Sequence, residues 1–447
     1  MKKYSAFLLL ATLFACSSKP ESNGDRLLLN EIGNEYVRLG LSIGAYDSDF
    51  VDAYYGPDSL KPVQAKTDTF PKNTFLNQAA TLKERLRTLA ANTSNDTIAS
   101  RADWLTHQLT AFERRIRIFS KEVAPFDTES QELFDAKAPV YNEKHFQQLV
   151  QKLDSVLPGK GSIQARYQQL ANRFLIPKNR IDTVFRLAID EARRRTLSHY
   201  KLPENETFDL EYVTDKPWSG YNWYKGNYHS LIQINISQPI FIERAIDLAC
   251  HEGYPGHHVY NVLLEKNLFR DKGWTEIALY PLFSPQSLIA EGSANFGISI
   301  AFPGNEQEEF CQKVLLPAAG LDTNGTDMYF KALSLKSMLG YARNEVARGL
   351  LSNAMNEPEA ERWLRDYCLL TEKGASDYVR FIKKYRSYVI NYNYGQDLVR
   401  KYIESRGGTV NAPGRRASER RAPERRWELF GALLSSPTRA GKLVENK

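Results

Sequence analysis

The stretch Ala249-Cys250-His251-Glu252-Gly253-Tyr254-Pro255-Gly256-His257-His258 holds three of the chain's seven histidines, with a glutamate directly after the first. Imidazoles and carboxylates at this density are the donor set of a zinc site, and Glu252 is the group that can act as general base beside the ion. In the ordinary His-Glu-x-x-His motif the two imidazoles stand four residues apart on one helical face. Here the second imidazole comes six residues on, as His257, or seven, as His258. On a straight helix seven residues rise roughly 10 Å, too far for two imidazoles to share one ion at about 2 Å. Pro255 removes the objection, because its ring clashes with the carbonyl of His251 and Gly256 loosens the chain further. The helix must kink or break there. Counted with two inserted residues, His257 falls where the second ligand belongs, and His258 stays open as the alternative.

Other elements must position these groups. Ile242, Ala245, Ile246 and Ala249 recur at spacings of three and four, which predicts an amphipathic helix carrying His251 and Glu252. Asp247, one turn before His251, is placed to hold that ring from behind. Cys250 reads as a small buried hydrophobe behind the site. A third protein ligand has to come from a second helix. The stretch Ser287 to Phe296 supplies Glu291, with Asn295 one turn later on the same face as a further outer partner.

His-Glu-Gly-Tyr-Pro-Gly-His-His resembles the hallmark of the bacterial family called domain of unknown function 885, which is grouped with the zincin-type metallopeptidases. Tyr36-Val-Arg-Leu-Gly-Leu41, Val51-Asp-Ala-Tyr-Tyr-Gly-Pro57, Ala290-Glu291-Gly-Ser-Ala and Tyr392-Asn-Tyr-Gly395 are similar to other pieces of it, from about residue 30 to 400. Where family members usually carry a bulkier pattern after the glutamate, this chain has Gly292-Ser293-Ala294. The resemblance implies a zincin-like fold and one metal site. Peptidases of this class often use a Tyr or His against the developing oxyanion. Tyr341, Arg343, Tyr385, Arg386 and Tyr392 are the polar groups that could reach a site, and the resemblance puts Tyr392 first.

Residues 1–16 read as a lipoprotein signal peptide: Lys2-Lys3, an apolar run from Phe7 to Phe14 too short to span a bilayer, then Leu13-Phe-Ala-Cys16. Lipid on Cys16 would anchor the protein to a membrane of the cell envelope, periplasmic or surface-exposed, with 17–25 as a tether. Cys250, Cys311 and Cys368 remain, too few for a disulfide scaffold. From 26 to 200 helical periodicity dominates, with stripes at Leu28, Ile32, Leu39, Ile43 and at Ile98, Leu105, Leu109, Phe112, Ile116, Phe119. Arg114, Arg115 and Arg117 read as a solvated face, and Ile181 to Leu197 as the last helix of this lobe. A catalytic lobe follows from 201 to 405. Phe208, Leu210, Tyr212 and then Ile232, Ile234, Ile236 alternate as two short strands, with an aromatic excursion from Trp218 to Tyr228 between them. Zincins hold peptide by main-chain bonds to an edge strand, and Leu231 to Ser237 is the candidate, with Leu231, Gln233, Ile234 and Asn235 as substrate contacts. Lys331 to Leu351 reads as the longest later helix.

Residues 406–447 differ in composition. From Lys401 the chain holds eleven Lys and Arg against five Asp and Glu, which accounts for the whole net charge of +6. This end reads as a basic, partly disordered tail able to meet anionic headgroups. Nucleic acid is not an expected partner, since no aromatic platform accompanies the arginines. The expected fold is mainly α, with two helical lobes flanking a cleft and a small antiparallel sheet beside the active helix. The expected function is a zinc peptidase acting on a peptide or protein. Its rival is an exported binding lipoprotein that grips a ligand through Trp218 to Tyr228. Glu252 favours the enzyme, because zinc binding does not need it and water activation does.

Overall fold

The computed structural model describes residues 23–63, 68–216, 218–409 and 422–444. The signal segment with Cys16, and 17–22 of the tether, lie outside the described residues. The remainder of the tether is already the first turn of helix Asn23–Gly44. The protein is mainly helical, and its cleft is lined by helices that follow residue 240 and by short strands, with Asp52 and Ala53 coming from the N-terminal part.

Helix Asp96–Phe119 buries the expected stripe from Ile98 to Ile116, and Asn95 caps it by accepting from the amides of Thr97 and Ile98 at 2.9 and 3.1 Å. In Asn23–Gly44 the stripe is rotated by one residue at its start. Leu29, not Leu28, joins Ile32, Leu39 and Ile43 in the core, because Tyr36 sets the buried face by stacking on Phe112 at 4.7 Å. Arg115 is a second correction. It is buried, in a forked pair with Asp47 at 2.6 and 2.9 Å, since a partner from another segment can draw a guanidinium inward. Ile181–Leu197 is a helix as expected.

The strands depart most from expectation. The aromatic stretch is itself a strand, so β2 (Thr207–Val213), β3 (Gly220–Gly226) and β4 (His229–Asn235), together with an earlier β1 (Val51–Tyr54) and a later β5 (Leu279–Pro281), form two sheets. The three-stranded sheet runs β2-β4-β3; β3 and β4 are antiparallel, but β2 and β4 are parallel, so it is mixed rather than antiparallel. β4 is therefore central, with both edges paired. In the two-stranded sheet β1 runs antiparallel to β5, with a bulge between Val51 and Ala53.

Helix Pro285–Ala301 runs through the centre, buried on nearly every side. Its start is written in Ser284-Pro285: the serine hydroxyl accepts from the Ser287 amide at 3.2 Å, and proline occupies the first turn, where no donor is needed. Helix Ile390–Ser405 crosses it at Gly292 and Gly395. A β-carbon on Gly395 would stand 2.8 Å from the Leu288 carbonyl oxygen, and one on Gly292 would strike the Gly395 backbone. The bulkier pattern is thus excluded after Glu291 by a backbone crossing. Lys331–Leu351 is broken at Leu339–Tyr341 into Thr326–Met338 and Ala342–Leu351.

Buried ion pairs that join the halves include Arg101 with Glu276, Nη2 to Oε2 2.8 Å, and Arg386 with Glu129 at 2.8 and 3.0 Å. Residues 410–421, with Arg415-Arg416 and Arg420-Arg421, lie outside the described residues. The described part of the expected tail is ordered: helix Ala422–Leu434 buries Trp427, Leu429, Phe430, Leu433 and Leu434, and Arg426 donates to the Ser299 carbonyl at 3.0 Å. Arginine pairs mask an apolar face that packs on the body.

Candidate metal centre and cleft

Helix Ile242–Leu248 widens into a π-turn over Ala249–Gly253, where the Tyr254 amide returns to the Ala249 carbonyl at 2.9 Å. The chain passes Pro255 and Gly256 and re-enters a helix at His257–Leu264. The distortion opens upstream of the proline, at Ala249. Gly256 makes the return possible, since a β-carbon there would collide with the carbonyl oxygens of His251 and Cys250.

This path brings His251 Nε2 within 3.2 Å of His257 Nε2. Glu291 Oε2 lies 3.4 Å from the first and 3.8 Å from the second. Donors placed tetrahedrally about one zinc ion at about 2.05 Å stand about 3.3 Å apart, so the triangle fits that ion. Glu291 Oε2 is also buried without a hydrogen-bond partner among the described residues, while Oε1 accepts from the Tyr388 hydroxyl at 2.9 Å. A buried oxygen left bare beside two imidazole nitrogens is what a cation would satisfy.

Of the two adjacent histidines, His257 faces the cleft and His258 faces inward. His258 Nδ1 lies 2.8 Å from Ser230 Oγ and Nε2 2.7 Å from Glu206 Oε1, so both ring nitrogens are taken. Glu206 also accepts from the Tyr254 hydroxyl, and from Arg193 at 3.0 Å. Burial opposes the Glu206 charge, but these donors hold its carboxyl down at about 2. Tyr254 and His258, on either side of His257, are thus fastened to one buried carboxylate.

Asn295 stands where expected: its Oδ1 lies 3.0 Å from His251 Nδ1, and its Nδ2 donates to the Tyr392 carbonyl at 2.8 Å. A proton on Nδ1 leaves the Nε2 lone pair facing the triangle. Asp247 does not hold His251. The π-turn rotates that ring off the preceding turn, and Asp247 instead pairs with Arg244 at 3.2 Å and accepts from Gln307 at 2.9 Å.

Glu252 is buried with its side chain against Gly220 of β3, where a β-carbon would stand 2.9 Å from Oε1. Its carbonyl accepts from Asn222 at 2.7 Å, and burial raises its carboxyl above the usual range. For His251 burial opposes the charge, but the carboxylates of Glu252 and Glu291 outweigh it and raise the ring to about 9. Burial likewise opposes the Glu291 charge, and the two imidazoles hold that carboxyl well below its usual range.

The cleft encloses about 630 Å³. Arg343, Tyr385 and Tyr392 line it, Tyr392 with 38% of its surface exposed. Tyr341 does not line it and donates to Asp397 at 2.6 Å, and Arg386 is occupied by Glu129. Leu231, Gln233, Ile234 and Asn235 sit on the central strand, away from the cleft, so the edge strand at the site is β3, with Gly220, Tyr221 and Asn222 on its wall. Sequence reasoning missed two groups that line the cleft, Tyr388 and Asp52. Tyr388, one turn before Tyr392, had only that spacing to mark it. Asp52 sits at the β1 bulge, which turns it into the cleft, and it accepts from the Tyr221 hydroxyl. Burial raises Asp52 to about 6, against the hydrogen bond from Tyr221 and the charge of His257.

No protein-family model matches the sequence, and no curated protein matches it. Among solved structures the chain is similar to a presumptive lipoprotein from Colwellia psychrerythraea, at 15% identity and TM-score 0.47, over 83% of this chain and 67% of that one. It is similar to an M32 carboxypeptidase from Deinococcus radiodurans, at 11% identity and TM-score 0.44, over 92% and 91%. Metallocarboxypeptidase 1 of Trypanosoma cruzi gives 11% identity and TM-score 0.42, over 92% and 91%.

Proposed function

We propose that the protein is a zinc-dependent peptidase of the cell envelope, anchored through lipid on Cys16. The observation that carries this reading is the triangle of His251 Nε2, His257 Nε2 and the bare Glu291 Oε2, with Glu252 buried beside it. Zinc held by these three residues would polarise the scissile carbonyl and acidify water. Glu252, with its raised carboxyl, takes a proton from the attacking water and delivers it to the leaving amine. Tyr392, exposed in the cleft, is the group this reading places against the oxyanion, while Tyr388 holds Glu291. The outer edge of β3, which pairs with no strand among the described residues, receives the substrate main chain.

The test is a peptide-library digest followed by mass spectrometry, comparing wild type with Glu252→Gln, alongside metal analysis. Cleavage should vanish in a variant that still holds one zinc per chain. Cleavage that survives, or zinc-loaded wild type that cuts nothing, overturns the peptidase; a reconstituted protein without zinc overturns the metal. No helix among the described residues is long and apolar enough to cross a membrane. Anchoring is tested separately: Cys16→Ser should lose palmitate labelling and leave the membrane fraction, and unchanged partition refutes lipidation.

A further inference from the structure

The cleft carries a feature that the hydrolytic groups do not use. Arg343, on helix Ala342–Leu351, lies with its guanidinium 5.2 Å from the centre of the Tyr378 ring. It has no carboxylate or carbonyl partner among the described residues, although it lines the cavity. Arg244 lines the same cavity and, among the described residues, is paired only with Asp247. Both arginines also line a smaller adjoining cavity, where Lys336 contacts the Tyr167 ring at 4.2 Å and has no carboxylate partner among the described residues.

The acids facing this group are mostly committed elsewhere. Asp377 is engaged with Lys373 at 2.6 Å and with Arg380. Glu243 accepts from Tyr329 at 2.8 Å, and burial, then Asp247, push it up to about 7. Among the described residues, Arg343, Arg244 and Lys336 therefore have one carboxylate partner among them, Asp247, which Arg244 holds. The opposite character holds around the metal triangle, where Asp52, Glu252 and Glu291 gather. Arg244 lies within electrostatic reach of both His251 and Glu252, so the cationic wall begins beside the chemistry.

A guanidinium with uncommitted donors in a walled cavity is a fork for a carboxylate. The ligand that meets Glu252 in this reading is a peptide, and the one carboxylate that every unmodified linear peptide shares is at its C-terminus. We propose that Arg343, with Arg244 beside it, binds the C-terminal carboxylate of the substrate, and that the enzyme releases residues from the carboxyl end of short peptides. The C–N bond of a terminal peptide unit breaks, water adds its hydroxyl to the acyl carbon, and its proton goes to the departing amine. The aromatic rings of Tyr378, Phe381 and Tyr385 on the same wall would favour an apolar or aromatic departing side chain. This inference rests on the peptidase reading.

The test uses zinc-loaded full-length protein and three matched peptides: a free acid, its C-terminal amide, and an amide ending in glutamate. The free acid should lose residues from its carboxyl end on the order of 100-fold faster in kcat/KM than either amide. Arg343→Met should bring the acid down to the rate of the amides, and Arg343→Lys should recover part of the gap. Equal cutting of acid and amide, or cutting only at internal bonds, overturns the inference and leaves the peptidase reading intact. An amide ending in glutamate that is cut as fast as the acid also overturns it, since a side-chain carboxylate would then suffice. Binding to Glu252→Gln protein separates the two readings if nothing is cut. Preference for the acid that disappears with Arg343→Met supports the carboxylate site without turnover, and no preference overturns it.

Discussion

Glu206 gathers His258, Tyr254 and Arg193 behind the metal triangle, and Glu206→Gln keeps its shape while removing its charge. A carboxyl lowered from the ordinary 4.5 to about 2 contributes about 3 kcal/mol of stability at neutral pH. Arg193, one of the donors, is 42% exposed and its share is screened, so about 2 kcal/mol is the expected loss. The sign follows from the direction of the shift. The folded carboxyl is more acidic than the unfolded one, so the contribution is complete above pH 4.5 and disappears as pH falls from there to about 2. Urea unfolding of wild type and variant should be run at several pH values, with chelator throughout so that metal binding does not enter. The gap should be about 2 kcal/mol at pH 7 and should close on acidification toward pH 2. A gap that is absent at pH 7, or that stays constant down to pH 3, would refute the argument, since it would show that the carboxylate charge is not what fastens the turn.

Three other expectations follow from the same geometry. His257→Ala should abolish stoichiometric zinc, whereas His258→Ala should keep it and lose on the order of 1–3 kcal/mol of stability, because the buried Ser230 and Glu206 lose a partner; metal analysis and urea unfolding separate the two. Asn295→Ala should weaken zinc binding 10–100-fold, as ~10–100-fold losses accompany removal of a partner that orients a ligand, and chelator competition measures it. Gly292→Val should force the two crossing helices apart and destabilise by more than about 3 kcal/mol, with Gly292→Ala intermediate; thermal melts at fixed zinc are the check.

The triangle was legible because its donors announce themselves by type. Three histidines, an adjacent glutamate and a proline that forbids a straight helix leave few arrangements, and the structure adopts one of them, with His257 rather than His258 turned outward. What separates the two is Glu206, 52 residues before His258 and part of no local pattern with it: it is one acid among several in a polar stretch, and only tertiary contact reveals it. Asp247 failed for a related reason. Helical spacing assumes a helix, and the π-turn changes the phase between Asp247 and His251. The strands show the same limit. Alternation found β2 and β4, yet the aromatic run Tyr221 to Tyr224 hid β3, and nothing in a single strand's pattern says whether its neighbours lie on one side or both. Composition gave no sign of helix Ala422–Leu434, because it weighs arginines and ignores the apolar face that Trp427, Phe430 and Leu434 make at helical spacing.

The pairing of β1 with β5 has a consequence for how the protein can be built and cut. Val51 opposes Pro281, some 230 residues apart in sequence, and the bulge between Val51 and Ala53 is what presents Asp52 to the cleft. A fragment made of the second half alone would therefore lack one wall of its own pocket, and β5 would be left with an open edge that invites pairing between copies. Ribosomal synthesis meets the same constraint, since β1 emerges long before its partner and this ladder cannot close until residue 281 is free. Contacts of such separation form late and slowly, so the chain should gain its helices well before the pocket closes.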